Sequence, residues 1–176
     1  MLIPPIQRYK NNNYTQTLAC IKTDPMTFID RLTDFITNYY KIGLDKNGFR
    51  INSEINGPGM GSGIDYQKDD LIIQFVNDRD QYFVSIANKN KVKTKWDLDL
   101  IMAYFYLNGL CDFDSNKIDR KEILLKRCNW KNYRQLSRFL FDNIDKVSKL
   151  ITEFENNSFY HDLIKLRKER GKYIWE

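Results

Sequence analysis

Two apolar runs, Leu71-Ile72-Ile73-Gln74-Phe75-Val76 and Tyr82-Phe83-Val84-Ser85-Ile86, stand either side of the polar stretch Asn77-Asp78-Arg79-Asp80-Gln81. Branched and aromatic side chains suit the pleated surface of a strand, and a short polar connection reverses the chain. The pattern predicts an antiparallel hairpin over residues 70–88, and the rest of the fold must be built around it. Phe49, Ile51 and Ile55 suggest a shorter strand before it. Between the two lies Gly57-Pro58-Gly59-Met60-Gly61-Ser62-Gly63, which reads as an irregular inter-strand loop because glycine is so frequent there.

Helical periodicity surrounds this sheet. Phe28, Ile29, Leu32, Phe35, Ile36 and Tyr39 recur at spacings of three and four, predicting a helix over about 25–41. Thr23 or Asp24 stands before Pro25 at its start, and Gly43 is the expected terminator. Thr94 and Asp97 fit an acidic capping box for a helix over about 95–108 that stops at Gly109. Its residues Leu98, Ile101, Met102, Phe105 and Tyr106 make a broad apolar face that would pack on the sheet. From residue 116 the pattern is wholly helical. A short helix takes in Ile123 and Leu124, a long period runs through 132–155 with a possible break at Asp142-Asn143, and a last helix runs from Ser158 to Gly171. The expected class is α+β in one domain of 176 residues, divided into an irregular arm (1–22), an α+β part (23–115) and a helical C-terminal part (116–176).

Composition allows such a core: 42% of residues are hydrophobic, with 11 Phe, 11 Tyr and 3 Trp. Cys20, Cys111 and Cys128 are odd in number and have no CxxC spacing, so neither a disulfide framework nor a zinc site is expected. The first residues lack the basic and apolar regions of a leader, and Leu98–Leu110 is interrupted by Asp99 and Asn108. A bilayer span needs about 20 apolar residues, so a cytosolic protein without a membrane segment is expected.

Candidate chemistry is sparse. Phosphate cradles need a helix directly after the glycines, whereas here Ile64-Asp65-Tyr66 leads on to a strand. His161 is the sole histidine, so any imidazole-dependent triad must pass through it; a surface role is the plainer reading. The pairs Asp78/Asp80, Asp97/Asp99 and Asp112/Asp114 could share a cation, yet turn and cap chemistry accounts for each. A divalent-metal nuclease hairpin could begin at Asp70, but Ala87 holds the position where a second carboxylate would be required. No cofactor, metal or catalytic set is expected, and the function falls to the surface.

Charge divides unevenly along the chain. Residues 1–115 hold 13 Lys/Arg against 14 Asp/Glu, while residues 116–176 hold 15 against 9, so the net +5 lies entirely at the C-terminal end. Arg120, Lys121, Lys126, Arg127, Lys131, Arg134 and Arg138 interleave there with Trp130 and Tyr133. Such a set can neutralise phosphates and stack bases, which makes nucleic acid one candidate partner. Ordinary solvation of helix faces is the competing explanation.

The hairpin with its turn Asn77-Asp78-Arg79-Asp80-Gln81, the helix start Trp96-Asp97-Leu98-Asp99, and the ending Lys168-Glu169-Arg170 together resemble small bacterial immunity-type proteins of toxin–immunity loci. The resemblance covers residues 70–101 and 140–170. It implies a single-domain inhibitor that neutralises a toxin by covering its active surface, and it carries no site residues with it. Inhibitors of nuclease toxins are commonly acidic. For a basic partner the expected contact is therefore the acidic stretch Asp65, Asp69, Asp70, Asp78, Arg79 and Asp80. Oligomeric state is not legible here.

Overall fold

The computed structural model describes residues 26–57, 61–91, 94–111, 119–125, 132–153 and 158–175. The N-terminal arm, with Pro25, lies outside them. The first helix, α1 (Phe28–Tyr39), begins later than its periodicity suggested because Thr27 and Asp30 form a capping box. Thr27 Oγ1 accepts the Asp30 amide at 3.3 Å, and the Asp30 carboxylate accepts the Thr27 amide at 3.0 Å. The Thr27 hydroxyl also donates to the Asp30 carboxylate at 2.6 Å, and this bond, with the one from the Thr27 amide, holds the Asp30 carboxyl below its ordinary pKa. Gly43 does not end the helical stretch but lies inside a second helix, α2 (Lys41–Lys46). Gly48, at φ 78°, takes the left-handed residue that turns the chain into the sheet.

Five strands form an antiparallel meander in the order β1 (Arg50–Gly57), β2 (Gly61–Lys68), β3 (Leu71–Asp78), β4 (Gln81–Asn88) and β5 (Lys95–Asp97). The expected hairpin is β3–β4, in register from Leu71 opposite Asn88 to Asp78 opposite Gln81. Its turn contracts to Arg79 and Asp80, both at positive φ, as a two-residue hairpin connection demands. The glycine-rich reading of 57–63 needs correction. Gly61-Ser62-Gly63 opens β2, with Ser62 opposite Asn77 and Gly63 opposite Val76. Pairing on both sides overrides the poor strand preference of glycine. Gly61 is also required sterically: φ is 92°, and a Cβ there would stand 2.3 Å from the Asn77 carbonyl oxygen.

The capping box at Thr94 and Asp97 also needs correction. Lys95–Asp97 pairs with Ser85–Ala87 as β5, and α3 (Leu98–Leu107) starts only after it. Asp97 occupies the N-cap position but makes no side-chain cap bond. Gly109, at φ 63°, follows the helix end as expected. Every residue of α3 from Leu98 to Phe105 is buried, so the helix is enclosed on all sides rather than laid on the sheet by one face. Enclosure comes from the sheet strands β4 and β5 and from α4 (Arg120–Leu124), α5 (Tyr133–Asp142) and α7 (Phe159–Trp175), while α6 (Ile144–Thr152) packs on β3 and β4. The long period over 132–155 does break, at Asn143 between α5 and α6. The last helix runs past Gly171 to Trp175.

One core unites these parts, joining Ile64, Ile73 and Phe75 of the sheet to Leu32 of α1, Phe139 of α5 and Leu163 of α7. The opposite sheet face carries a polar row that is bonded laterally. Ser53 Oγ donates to Asp65 at 3.0 Å, Gln74 Nε2 donates to Asp65 at 2.8 Å, and Lys95 Nζ donates to Gln74 Oε1 at 2.7 Å. Such alternation, apolar inward and polar outward, is what an antiparallel sheet covered on one side requires. No helix among the described residues is long and apolar enough to cross a membrane.

Gly43 allows α2 and α5 to approach, because a Cβ at that position would lie 2.1 Å from the Phe141 ring. Gly43→Val should therefore lower stability by about 1–3 kcal/mol through overpacking. Urea unfolding should show that loss, with a smaller effect of the same substitution when Phe141 is Ala.

Candidate interaction surfaces

The acidic stretch does not assemble into one face. Asp69 and Asp70 form the β2–β3 turn, while Asp78 ends β3 and Asp80 lies in the β3–β4 turn at its opposite end. Eight strand residues separate the two turns, roughly 25 Å. Asp65 lies between them on β2, committed to Ser53 and Gln74. The charges at each end are also answered locally. Asp80 takes both carboxylate oxygens to Arg31 Nη1, at 2.7 and 2.6 Å. Asp78 accepts from Arg79 at 3.1 Å, and Asp70 lies 3.8 Å from Lys89. Asp69 is exposed in its turn. Steering onto a basic partner requires a coherent field, and these pairs cancel most of it.

The basic helices are similarly occupied. Arg120 makes a two-pronged contact with Glu169, Nε to Oε1 at 2.7 Å and Nη2 to Oε2 at 2.9 Å. Lys121 lies over the Tyr173 ring at 5.3 Å, and Arg138 reaches Asp142 at 3.4 Å. Arg134 is exposed on α5. Tyr133 is not a free stacking platform: its ring sits edge-on to Phe35 at 4.8 Å, and its hydroxyl donates to the Tyr82 carbonyl at 3.3 Å. Burial raises its pKa. Lys126, Arg127, Trp130 and Lys131 lie outside the described residues. Arg167, further along α7, covers the Trp96 indole at 4.2 Å and donates to the Lys95 carbonyl at 2.5 Å.

A site that the sequence reading missed lies where β4, β5 and α7 meet. Position in the chain predicts Asp97 and Asp99 to be cap residues, but both carboxylates face Arg170 of α7, at 3.6 and 2.8 Å. The Asp99 and Arg170 side chains are only 11% and 15% exposed. Arg170 Nε is buried and has no hydrogen-bond partner among the described residues. Beside this clamp opens a pocket of about 350 Å³, lined by Phe83, Val84, Leu125, Leu136 and Ile174 as well as the three charged residues. A signal was present in the sequence, two aspartates at a strand–helix junction and one arginine some 70 residues later, but nothing local connects them.

The residues considered for catalysis stay apart. His161 is exposed on α7, against the Tyr160 ring. Asp70 sits in a turn, and Ala87 is buried opposite Ile72. No group of three or more His, Cys, Asp or Glu side chains suited to a metal ion occurs among the described residues. Cys111 is half-buried; Cys20, Cys128 and the pair Asp112/Asp114 lie outside the described residues.

Two outcomes follow from the ion pairs. Arg170→Met leaves the Asp99 carboxylate buried without its partner and should cost about 3–5 kcal/mol in urea unfolding. Asp99→Leu added to it should recover much of that loss. Arg120 hydrogen bonding holds the Glu169 carboxyl below its ordinary pKa. The folded state therefore binds that proton less tightly than the unfolded chain. The associated stability is complete above the ordinary carboxylate range and is lost as pH falls through the lowered folded value. Glu169→Gln should accordingly flatten the acid limb of a stability–pH profile while leaving its shape near neutrality unchanged.

Compared with known proteins, the chain matches no family model, no curated protein and no solved structure.

Proposed function

We propose that the protein works by binding another protein in the bacterial cytosol, as an immunity-type antagonist that neutralises a toxin by direct contact. Its docking face is the junction of the β3–β4 hairpin tip with the end of α7. The observation that carries this reading is the exposure of two large apolar side chains on the lining of one pocket, Phe83 at 48% and Ile174 at 59%. Exposed apolar groups scattered singly are ordinary, but grouped around a concavity they suit a partner's anchoring side chain. The clamp of Asp97, Asp99 and Arg170 supplies a polar wall beside them, the combination of apolar floor and few polar groups that gives orientation. The hairpin tip adds Asp78, Arg79 and Asp80, three of the residues singled out from the sequence, with Arg79 strongly exposed. The resemblance to immunity-type proteins covers the same hairpin, the helix start at Trp96 and α7 as far as Arg170.

Because the tip charges are paired locally, affinity would come from burying Phe83 and Ile174 more than from long-range attraction, and it would change little with salt. Nucleic-acid binding through Arg120, Lys121, Arg134 and Arg138 is the alternative, and it predicts the reverse: a steep fall in affinity with salt. The deciding experiment co-expresses the chain with the product of the gene adjacent to its own. Growth protection and a purified complex are expected, both lost in Phe83→Arg and Ile174→Asp with folding retained. A neighbouring product that neither binds nor is silenced would remove the reading, as would tight salt-sensitive DNA or RNA binding in its place.

A further inference from the structure

One cross-strand row of residues on the outward sheet face is apolar from β1 to β4. Ile55 pairs with Gly63, Gly63 with Val76, and Val76 with Phe83. Strand residues alternate between faces, and the core positions of Ile64, Phe75 and Val84 fix this row on the opposite side. Its two ends are well exposed, Ile55 at 61% and Phe83 at 48%. Gly63 is the anomaly. Glycine weakens a strand interior, and where it occurs it marks a bulge, a tight bend or the close approach of another group. The irregularity in the β1–β2 ladder falls elsewhere, between Ile51 and Ser53, and the positive-φ glycines are Gly48, Gly61 and Gly109. Internal packing does not need the space either, since a Cβ at Gly63 would meet the Phe75 carbonyl oxygen at 3.7 Å, an ordinary contact. What remains is an approach from outside the chain.

The geometry points to a second copy of this chain, packed sheet against sheet, with Phe83 of each copy seated over Gly63 of the other. The register supplies the complementarity. Gly63 on β2 and Phe83 on β4 stand one strand either side of Val76 on β3, roughly 5 Å each way. A two-fold axis along β3 at Val76 exchanges the two positions, so each ring meets the gap left by the missing side chain, twice per dimer. Val76 meets its own copy at the axis. The same rotation carries Ile55, two strands from the axis, to the β5 side of the second copy's β4, where Ile174 is 59% exposed beside Phe83. Polar groups of the adjoining row can be covered without being orphaned, because Ser53, Asp65, Gln74 and Lys95 already bond one another. Four strands of this length present roughly 500 Å² of planar face. Two copies together cover about 1,000 Å², the lower limit for a specific interface, so the dimer is weak and reversible. It hides Phe83, so self-association and the docking proposed above exclude each other; that consequence alone rests on the earlier reading.

Sedimentation of the full chain from micromolar to millimolar concentration should show a reversible monomer–dimer equilibrium. Gly63→Thr fills the gap with a strand-favouring residue, and Phe83→Ala removes the ring. Each should weaken the dimer at least about tenfold, the loss expected of a central apolar contact. Mixed together, the two variants keep one native ring-on-glycine contact and set the shortened side chain against the filled gap in the other. The mixed dimer should therefore be tighter than the dimer of either variant alone. As a monomer, Gly63→Thr should keep or raise the urea midpoint, because the fold itself does not require that glycine. Growth protection in the co-expression assay should survive Gly63→Thr, and failure of that assay would count against the docking face while leaving the dimer standing. A chain that stays monomeric at millimolar concentration would overturn the dimer. So would a dimer indifferent to Gly63→Thr, a mixed pair no tighter than its components, or a lowered urea midpoint for Gly63→Thr.

Discussion

Arg170 reaches from the last helix to two carboxylates at the point where β5 hands over to α3, and much of the molecule is arranged around that reach. Asp99 is buried, and its negative charge could not be kept there without a partner of opposite sign. The pairing fixes α7 against the sheet. Arg167, three residues earlier, covers Trp96 of β5, so α7 is held to the same strand by two successive side chains. With α7 in place, α3 is closed off from solvent and can be apolar on every side, as its fully buried run from Leu98 to Phe105 requires. The same contact raises one wall of the pocket beside Phe83 and Ile174. A stabilising device and a candidate docking face thus share one arginine.

Charge pairing governs the rest of the surface as well. The chain is net basic, and its C-terminal third is strongly so, yet Arg120, Arg138 and Lys165 each lie against a carboxylate. The acidic hairpin ends are answered by Arg31, Arg79 and Lys89. Exposed pairs of this sort contribute little stability individually. Their effect is to offset those particular charges locally, at the hairpin ends and along the exposed sides of α5 and α7.

Much of the fold was legible in the chain. The β3–β4 hairpin, the helical periods of α1 and α5–α6 with the interruption at Asn143, and the stop at Gly109 all follow from local preference and spacing. Where local preference misled, a distant partner was responsible. Gly61-Ser62-Gly63 joins a strand because β1 and β3 flank it, and Gly43 stays within a helix because Phe141, nearly a hundred residues on, needs the space of its missing side chain.

The same division holds for the candidate sites. Residue order alone determined that the protein is α+β, that it is built on one hairpin, and that acidic and basic side chains gather at particular stretches, because each depends on neighbours within a few positions. Tertiary structure alone decided which of those charges remain available, since Asp97 and Asp99 meet Arg170, Asp80 meets Arg31, and Glu169 meets Arg120 only after the chain has folded. It also decided that β1 stands at the sheet's edge and that Phe83 and Ile174 line one pocket. Electrostatic pairing and strand order act across space, between residues whose separation along the chain carries no record of their meeting.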